Sequence, residues 1–243
     1  MVVVLLTTMV LPVACTGIAK GSIADHIVIS EVQIKGDSDT KHDFVELYNP
    51  TEHNINLNDY EGSYIRLVKR TASGDSDIPL KSWSQDEMAI VPARGYYLWA
   101  SSSDEEFPDS IGADAQTGET IAQNNAVALR KGDTDIGAII DAVGWGTATN
   151  ALVEGSAYPT NPVNNQSIQR RVNDTIKEDG THGPAWDSEN NSLDFFIHSS
   201  DPNNIGSNQI PPLPEFSTVV MLSSGLLSLL AYARRANQKN KKN

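Results

Sequence analysis

Seven short β-branched and aromatic segments, apolar alternation inside them and turn-forming clusters between them predict an all-β, two-sheet sandwich. The segments are Ile27–Ile34, Phe44–Asn49, Ser63–Arg70, Gly95–Ser101, Asn125–Lys131, Ile136–Trp145 and Gln166–Val172. Gly, Asn, Asp and Pro clusters separate them, and no long run has helical period. Many short strands in about 150 residues is the pattern of a sandwich or barrel.

Alternation gives each strand one apolar face. Val45 and Leu47 oppose Glu46, Ile65 and Leu67 oppose Arg66, and Val127 and Leu129 oppose Ala128 and Arg130, as two packed sheets require. Gly132-Asp133-Thr134-Asp135 between two such strands predicts a tight hairpin. Asn124, Asn125, Gly144 and Gly146 suit turn and bulge positions that need positive φ or close backbone approach. Glu46, among apolar neighbours, should accept hydrogen bonds from backbone or arginine, and Arg170 and Arg171 are candidate partners.

The two ends predict export and anchoring. Residues 2–14 form an apolar run of the length of a signal-peptide core, too short to span a bilayer, although no Lys or Arg precedes it. Two cleavage points follow, after Ala19 (Gly17-Ile18-Ala19) and after Ala24 (Ser22-Ile23-Ala24). The second is preferred because Asp25 then starts the first strand segment. Leu11–Cys15 resembles a lipoprotein box except at Pro12. With cleavage after Ala24 the mature chain has no cysteine, hence neither a disulfide nor a thiolate metal site.

At the other end Pro211-Pro212-Leu213-Pro214-Glu215-Phe216 is followed by the apolar segment 217–233 and then by Arg234, Arg235, Lys239, Lys241 and Lys242. This is a stop-transfer pattern, with the basic cluster kept in the cytoplasm. The order Pro-Glu-Phe, apolar segment, basic tail also resembles the C-terminal sorting tails of surface proteins handled by archaeosortases and exosortases. That resemblance implies recognition of Pro214, Glu215 and Phe216 by a sorting transpeptidase and removal of the helix. A plain single-pass anchor predicts the same segment from hydropathy.

Between residues 25 and 213 there are 30 acidic groups against 12 basic ones, so the exported part carries about −18. That field repels phosphate and excludes nucleic acid as a partner, while favouring solubility and cations.

The order of the central segments resembles the lamin tail domain family. The stretches that carry it are Ile29-Ser30-Glu31-Val32, Asp43-Phe44-Val45-Glu46-Leu47-Tyr48-Asn49, Asn56-Leu57 with Tyr60-Glu61-Gly62, Val91–Leu98, Asn124–Leu129, Ile140–Gly146 and Gln166–Arg171. Ala185-Trp186-Asp187 through Phe196, then Asp201–Asn204, resemble the end of prokaryotic members. The resemblance covers residues 26–206 and implies an immunoglobulin-like β-sandwich without a catalytic centre of its own.

The residues agree with a non-enzyme. His26, His42, His53, His182 and His198 form no H-x-x-x-H or H-E-x-x-H arrangement, and no G-x-S-x-G or phosphate-binding glycine loop is present. Carboxylate pairs are abundant, but counting them says nothing about separation or raised pKa.

Acidic turns supply weak calcium candidates: Asp37 and Asp39, Asp75 and Asp77, Asp133 and Asp135, with Asp104-Glu105-Glu106 a fourth acidic run. None completes a twelve-residue calcium loop, and solvated acidic turns are the simpler reading given the overall charge. Three N-x-S/T sequons place candidate glycosylation at Asn165, Asn173 and Asn190.

The predicted organisation is a signal peptide over 1–24, an Ig-like domain over 25–206, a linker over 207–216, a transmembrane segment over 217–233 and a basic tail over 234–243. The expected function is non-enzymatic display at the cell surface, bound to an envelope component, a surface polymer or a protein, with no cofactor. The alternative is a calcium-stabilised, self-associating unit of an envelope or matrix.

Overall fold

The computed structural model describes residues 21–36, 41–83, 89–172 and 183–199. The apolar runs 2–14 and 217–233 and the Pro214–Phe216 motif lie outside the described residues. Among those described, no helix is long and apolar enough to cross a membrane.

In chain order the strands are β1 (Ser22–Ile23), β2 (Val28–Gln33), β3 (Phe44–Tyr48), β4 (Ile55–Asn56), β5 (Ile65–Arg70), β6 (Ile78–Ser82), β7 (Ile90–Val91) and β8 (Tyr96–Ser101). After the single-turn helix α1 (Phe107–Ser110) come β9 (Ala115–Thr117), β10 (Ala126–Lys131), β11 (Ile139–Gly144), β12 (Gln166–Arg170) and β13 (Trp186–Asp187). The helix α2 (Asn191–Asp194) then leads into β14 (Phe195–Ser199). All seven segments expected from the sequence contain a strand.

Two sheets face each other. One has the order β14-β12-β2-β3-β8-β9, the other β11-β10-β5-β6, and β8–β9 is the parallel pair in an otherwise antiparallel arrangement. The alternation decides what meets between them: Ile29, Val32, Val45, Leu47, Trp99 and Ile168 from the larger sheet pack on Ile65, Leu67, Val127, Leu129 and Val143 from the smaller. Burying a tryptophan requires a partner for its indole N–H. Trp83 donates to the Tyr97 hydroxyl, Trp99 to Thr117 Oγ1 and Trp145 to the Ala122 carbonyl, each at 3.1 Å.

The outer faces are covered as well. Phe44, Leu98 and Ala100 lie under Phe107 and Ile111 of the α1 segment, and Val68, Ala126, Ala128 and Ala142 lie under Leu152 and Val153. Val28 and Tyr48 pack with Ala24 and Ala185, and strands β2 and β3 are buried along their whole length. Glu46, on the outer face, is 3% exposed and accepts from Ser30 Oγ at 2.7 Å. Arg170 is not its partner, because it shares strand parity with Ile168 and points between the sheets.

The expectations for Asn124, Gly144 and Gly146 agree with the backbone, whereas Asn125 does not have a positive φ. Asn124 and Gly146 have φ of 60° and 65°, and a Cβ at Gly144 would lie 2.5 Å from Val153 Cγ2. The hairpin after β10 differs from expectation. Residues 132–138 form a longer connection, closed by the Lys131 N–H to the Ala138 carbonyl at 2.9 Å and turned by the Gly137 N–H to the Thr134 carbonyl at 3.1 Å, and Ile136 stands 93% exposed within it. Arginine side chains hold the Gly132, Thr134 and Gly137 carbonyls of this connection.

The folded unit also begins before Asp25: Ser22 and Ile23 pair with Asp187 and Trp186, and the Ala24 N–H donates to the Ala185 carbonyl at 2.8 Å.

Candidate functional site

A fully buried ion pair lies between the sheets. Arg170 on β12 and Asp141 on β11 occupy apolar positions of their strands, opposite one another, and both side chains are fully buried. Arg170 Nη2 donates to Asp141 Oδ1 and Oδ2 at 2.6 and 2.8 Å. Its Nε donates to the Ile29 carbonyl at 2.8 Å and Nη1 to the Trp186 carbonyl at 3.0 Å, while the guanidinium lies 4.6 Å from the Phe195 ring centre. The Ile29 N–H completes the set by donating to Asp141 Oδ2 at 2.5 Å. One ion pair thereby joins β2, β11, β12 and β13.

A buried pair survives only when its hydrogen-bonding capacity is filled. Burial pushes the Asp141 carboxyl up, and Arg170 and the Ile29 N–H pull it back. Burial alone would lower the Arg170 guanidinium, but Asp141, Asp187, Glu154 and Asp194 hold it above its ordinary value.

Glu154 stands at the edge of this cluster, accepting from the Ala142 N–H and from Asn191 Nδ2. Burial, with the Asp141 charge adding to it, pushes its carboxyl up to about 9. Asn191 uses both ends of its amide. Oδ1 accepts from the Gly144 and Glu154 N–H groups, and Nδ2 donates to the Ala142 carbonyl at 2.9 Å. Asp194, fully buried, takes the Ser188 N–H and hydroxyl and so fixes the turn before α2.

Next to this network is a cleft of about 290 Å³ lined by residues 22–26 and 187–189. His26 Nδ1 lies 3.0 Å from the Ile27 carbonyl and Nε2 lies 3.8 Å from Asp187 Oδ2. Among the described residues no three His, Cys, Asp or Glu side chains are grouped to hold a metal ion.

The calcium candidates fall in three places. Asp37 and Asp39 lie outside the described residues. The turns bearing Asp75/Asp77 and Asp133/Asp135 are brought together, the Asp77 N–H donating to Asp135 Oδ2 at 2.9 Å.

What fills the space beneath these turns is arginine. The Asp77 carboxylate is fully buried and lies 2.6 Å from Arg70 Nε, 2.6 Å from Arg130 Nε and 4.0 Å from Arg66 Nη2. Arg66 donates to the Gly132 and Thr134 carbonyls and Arg130 to the Gly137 carbonyl. Carbonyls and a carboxylate on tight turns are the oxygens a hard cation would take. Here guanidinium groups take them. The fourth acidic run is engaged differently. Asp104 Oδ2 lies 2.8 Å from His42 Nε2, which holds the carboxyl below its ordinary value, and His42 stacks on Phe107 at 4.3 Å.

Of the sequons, Asn165 is exposed in a left-handed turn (φ 56°). Asn190 caps α2, its Oδ1 accepting from the Ser192 N–H and hydroxyl. Asn173 lies outside the described residues.

The arrangement is therefore a set of structural junctions on a two-sheet sandwich. A family model described as Lamin Tail Domain matches residues 21–147, more than half of the chain. The chain belongs to the lamin tail domain family. Lamin tail domains are non-catalytic immunoglobulin-like modules, and the all-β, Ig-like sandwich described above agrees with that membership.

The crystal structure of a DUF4876 family protein from Bacteroides thetaiotaomicron VPI-5482 is also similar. It superposes with a TM-score of 0.53 over 79% of this chain and 75% of that one, at 10% sequence identity, a likeness of fold alone. No curated protein matches the chain. The family match ends near Gly146, so the second half of the Arg170 network, from β12 to α2, lies beyond the matched stretch.

Proposed function

We propose that this chain is an exported, non-enzymatic surface module: a lamin-tail sandwich displayed from the membrane by its C-terminus, binding an envelope component, a surface polymer or another protein. The observation that carries the proposal is the C-terminal order of Pro214-Glu215-Phe216, the apolar segment 217–233 and the Arg234–Lys242 basic cluster behind an acidic domain. Such an order holds a chain in the bilayer with its basic end in the cytoplasm. The sandwich supports it, since its buried charges are engaged with one another and with backbone carbonyls, an arrangement suited to a rigid scaffold.

The proposal includes processing at the Pro-Glu-Phe motif. The proline-rich approach keeps that motif out of the following helix, accessible to a transpeptidase. With a tag after Asn243 and a second between Ser207 and Asn208 in the native host, processing separates the two tags and Glu215→Ala keeps them together. If one full-length species carries both tags and Glu215→Ala alters neither its size nor its location, the segment is an ordinary anchor. Affinity capture of the chain from native envelopes tests the binding role: a captured polymer or heterologous protein supports it, and recovery of the chain with itself alone supports the self-associating alternative.

That alternative, stabilised by calcium, draws on the exposed Asp75, Asp133 and Asp135 on adjoining turns. The guanidinium groups beneath those turns leave calcium fewer oxygens to bind.

A further inference from the structure

We infer that the export signal is removed after Ala19, so that the mature chain begins at Lys20 and keeps residues 21–24, which include the first strand β1. The inference rests on the export proposal and goes beyond it by assigning the processing site.

Both cleavage points satisfy the small-residue rule at the first and third positions before the cut, Gly17 and Ala19 for one, Ser22 and Ala24 for the other. Their consequences for the folded domain differ. Cleavage after Ala24 would delete β1, whose Ser22 and Ile23 pair with Asp187 and Trp186. It would delete the Ala24 N–H bond to the Ala185 carbonyl, and with it a buried alanine that packs on Val28, Tyr48 and Ala185. Gly21 is itself fitted to the fold, since a Cβ there would stand 2.4 Å from the Trp186 ring.

The strand that β1 holds is not peripheral. Trp186 gives its carbonyl to Arg170, and Asp187 Oδ1 lies 3.9 Å from Arg170 Nη1. Residues 21–24 therefore close the end of the sandwich that carries its buried ion pair. Cleavage after Ala19 leaves all of these contacts in place.

The two sites can be blocked independently with a large residue three positions before the cut. Gly17→Leu disables the first and lies ahead of the folded unit. Ser22→Leu disables the second at an exposed position of β1. The full chain is expressed in its native host and its N-terminus read by mass spectrometry.

The inference predicts a mature N-terminus at Lys20, accumulation of precursor with Gly17→Leu, and unchanged processing with Ser22→Leu. An N-terminus at Asp25 that is lost with Ser22→Leu overturns the inference while leaving export intact. A chain that keeps residues 1–19 in every variant overturns both the inference and the export proposal.

Discussion

Two arginine–carboxylate clusters serve one sandwich with opposite ratios of charge. Between the sheets a single arginine, Arg170, stands among Asp141, Asp187, Glu154 and Asp194. On the outer face of the smaller sheet three arginines, Arg66, Arg70 and Arg130, share Asp77. In the inner cluster burial and the Asp141 charge push Glu154 up to about 9, and hydrogen bonds from Ser188 and Asn190 fill Asp194. The outer cluster relieves its basic surplus on carbonyl dipoles of the 132–137 loop. Arginines in an acidic domain are thus placed where strands and loops must be joined.

The largest expected effect is at the inner pair. Arg170→Ala leaves the Asp141 carboxylate buried without its counter-charge and frees the Ile29 and Trp186 carbonyls, and should cost about 3–5 kcal/mol. The double variant Arg170→Met with Asp141→Leu should recover much of that loss, because both charges are gone. Urea denaturation of the unaltered chain, Arg170→Met, Asp141→Leu and the double variant gives the coupling. Additive losses would show that the pair does not join the sheets as a unit.

The outer cluster should be more tolerant. Arg130→Ala leaves Asp77 paired with Arg70 but releases the Gly137 carbonyl, for a loss of about 1–2 kcal/mol. Hydrogen exchange should report the change mainly at residues 132–138. A loss equal to that of Arg170→Ala would break the contrast between the clusters.

Protonation separates them further. Glu154 is raised in the folded state, so the native protein holds a proton that the unfolded chain releases above its ordinary carboxyl pKa of 4.5. Its contribution is fully present below 4.5 and is lost as pH rises toward about 9. Stability should fall over that window by at most about 1.4 kcal/mol per pH unit from this group. Glu154→Gln should flatten the decline in melting temperature between pH 5 and 9, and an unchanged slope would count against a neutral Glu154.

Calcium should have the smallest effect. A specific site filled at about 100 times its dissociation constant would add roughly 2.7 kcal/mol. Differential scanning calorimetry at matched ionic strength should give similar small shifts for calcium and magnesium, as screening of a highly acidic surface does. A large calcium-selective shift abolished by Asp133→Asn would restore the calcium-stabilised alternative.

Much of the sandwich was legible because its central strands are β-branched and alternate. Strand β6 was not, since Pro79 interrupts it, and β9 and β14 lack a clean alternation. The inner ion pair leaves a signal in the sequence: Asp141 shares strand parity with Val143, and Arg170 with Ile168. A charge on an apolar parity points to a partner across the core, whereas residue type alone pairs Glu46 with Arg170 or Arg171. Glu154 sits in a loop, and Asn191 and Asp194 bound the single-turn helix α2, both too short for a period to mark them. The pairing of the turns at Asp77 and Asp135 depends on strands brought together from distant sequence, which local pattern does not encode.

Surface display is tested most directly on intact cells of the native host. An antibody to a tag between Ser207 and Asn208 should label unpermeabilised cells, and external protease should remove that tag while a cytoplasmic marker survives. Labelling and proteolysis that occur only after lysis would contradict the account.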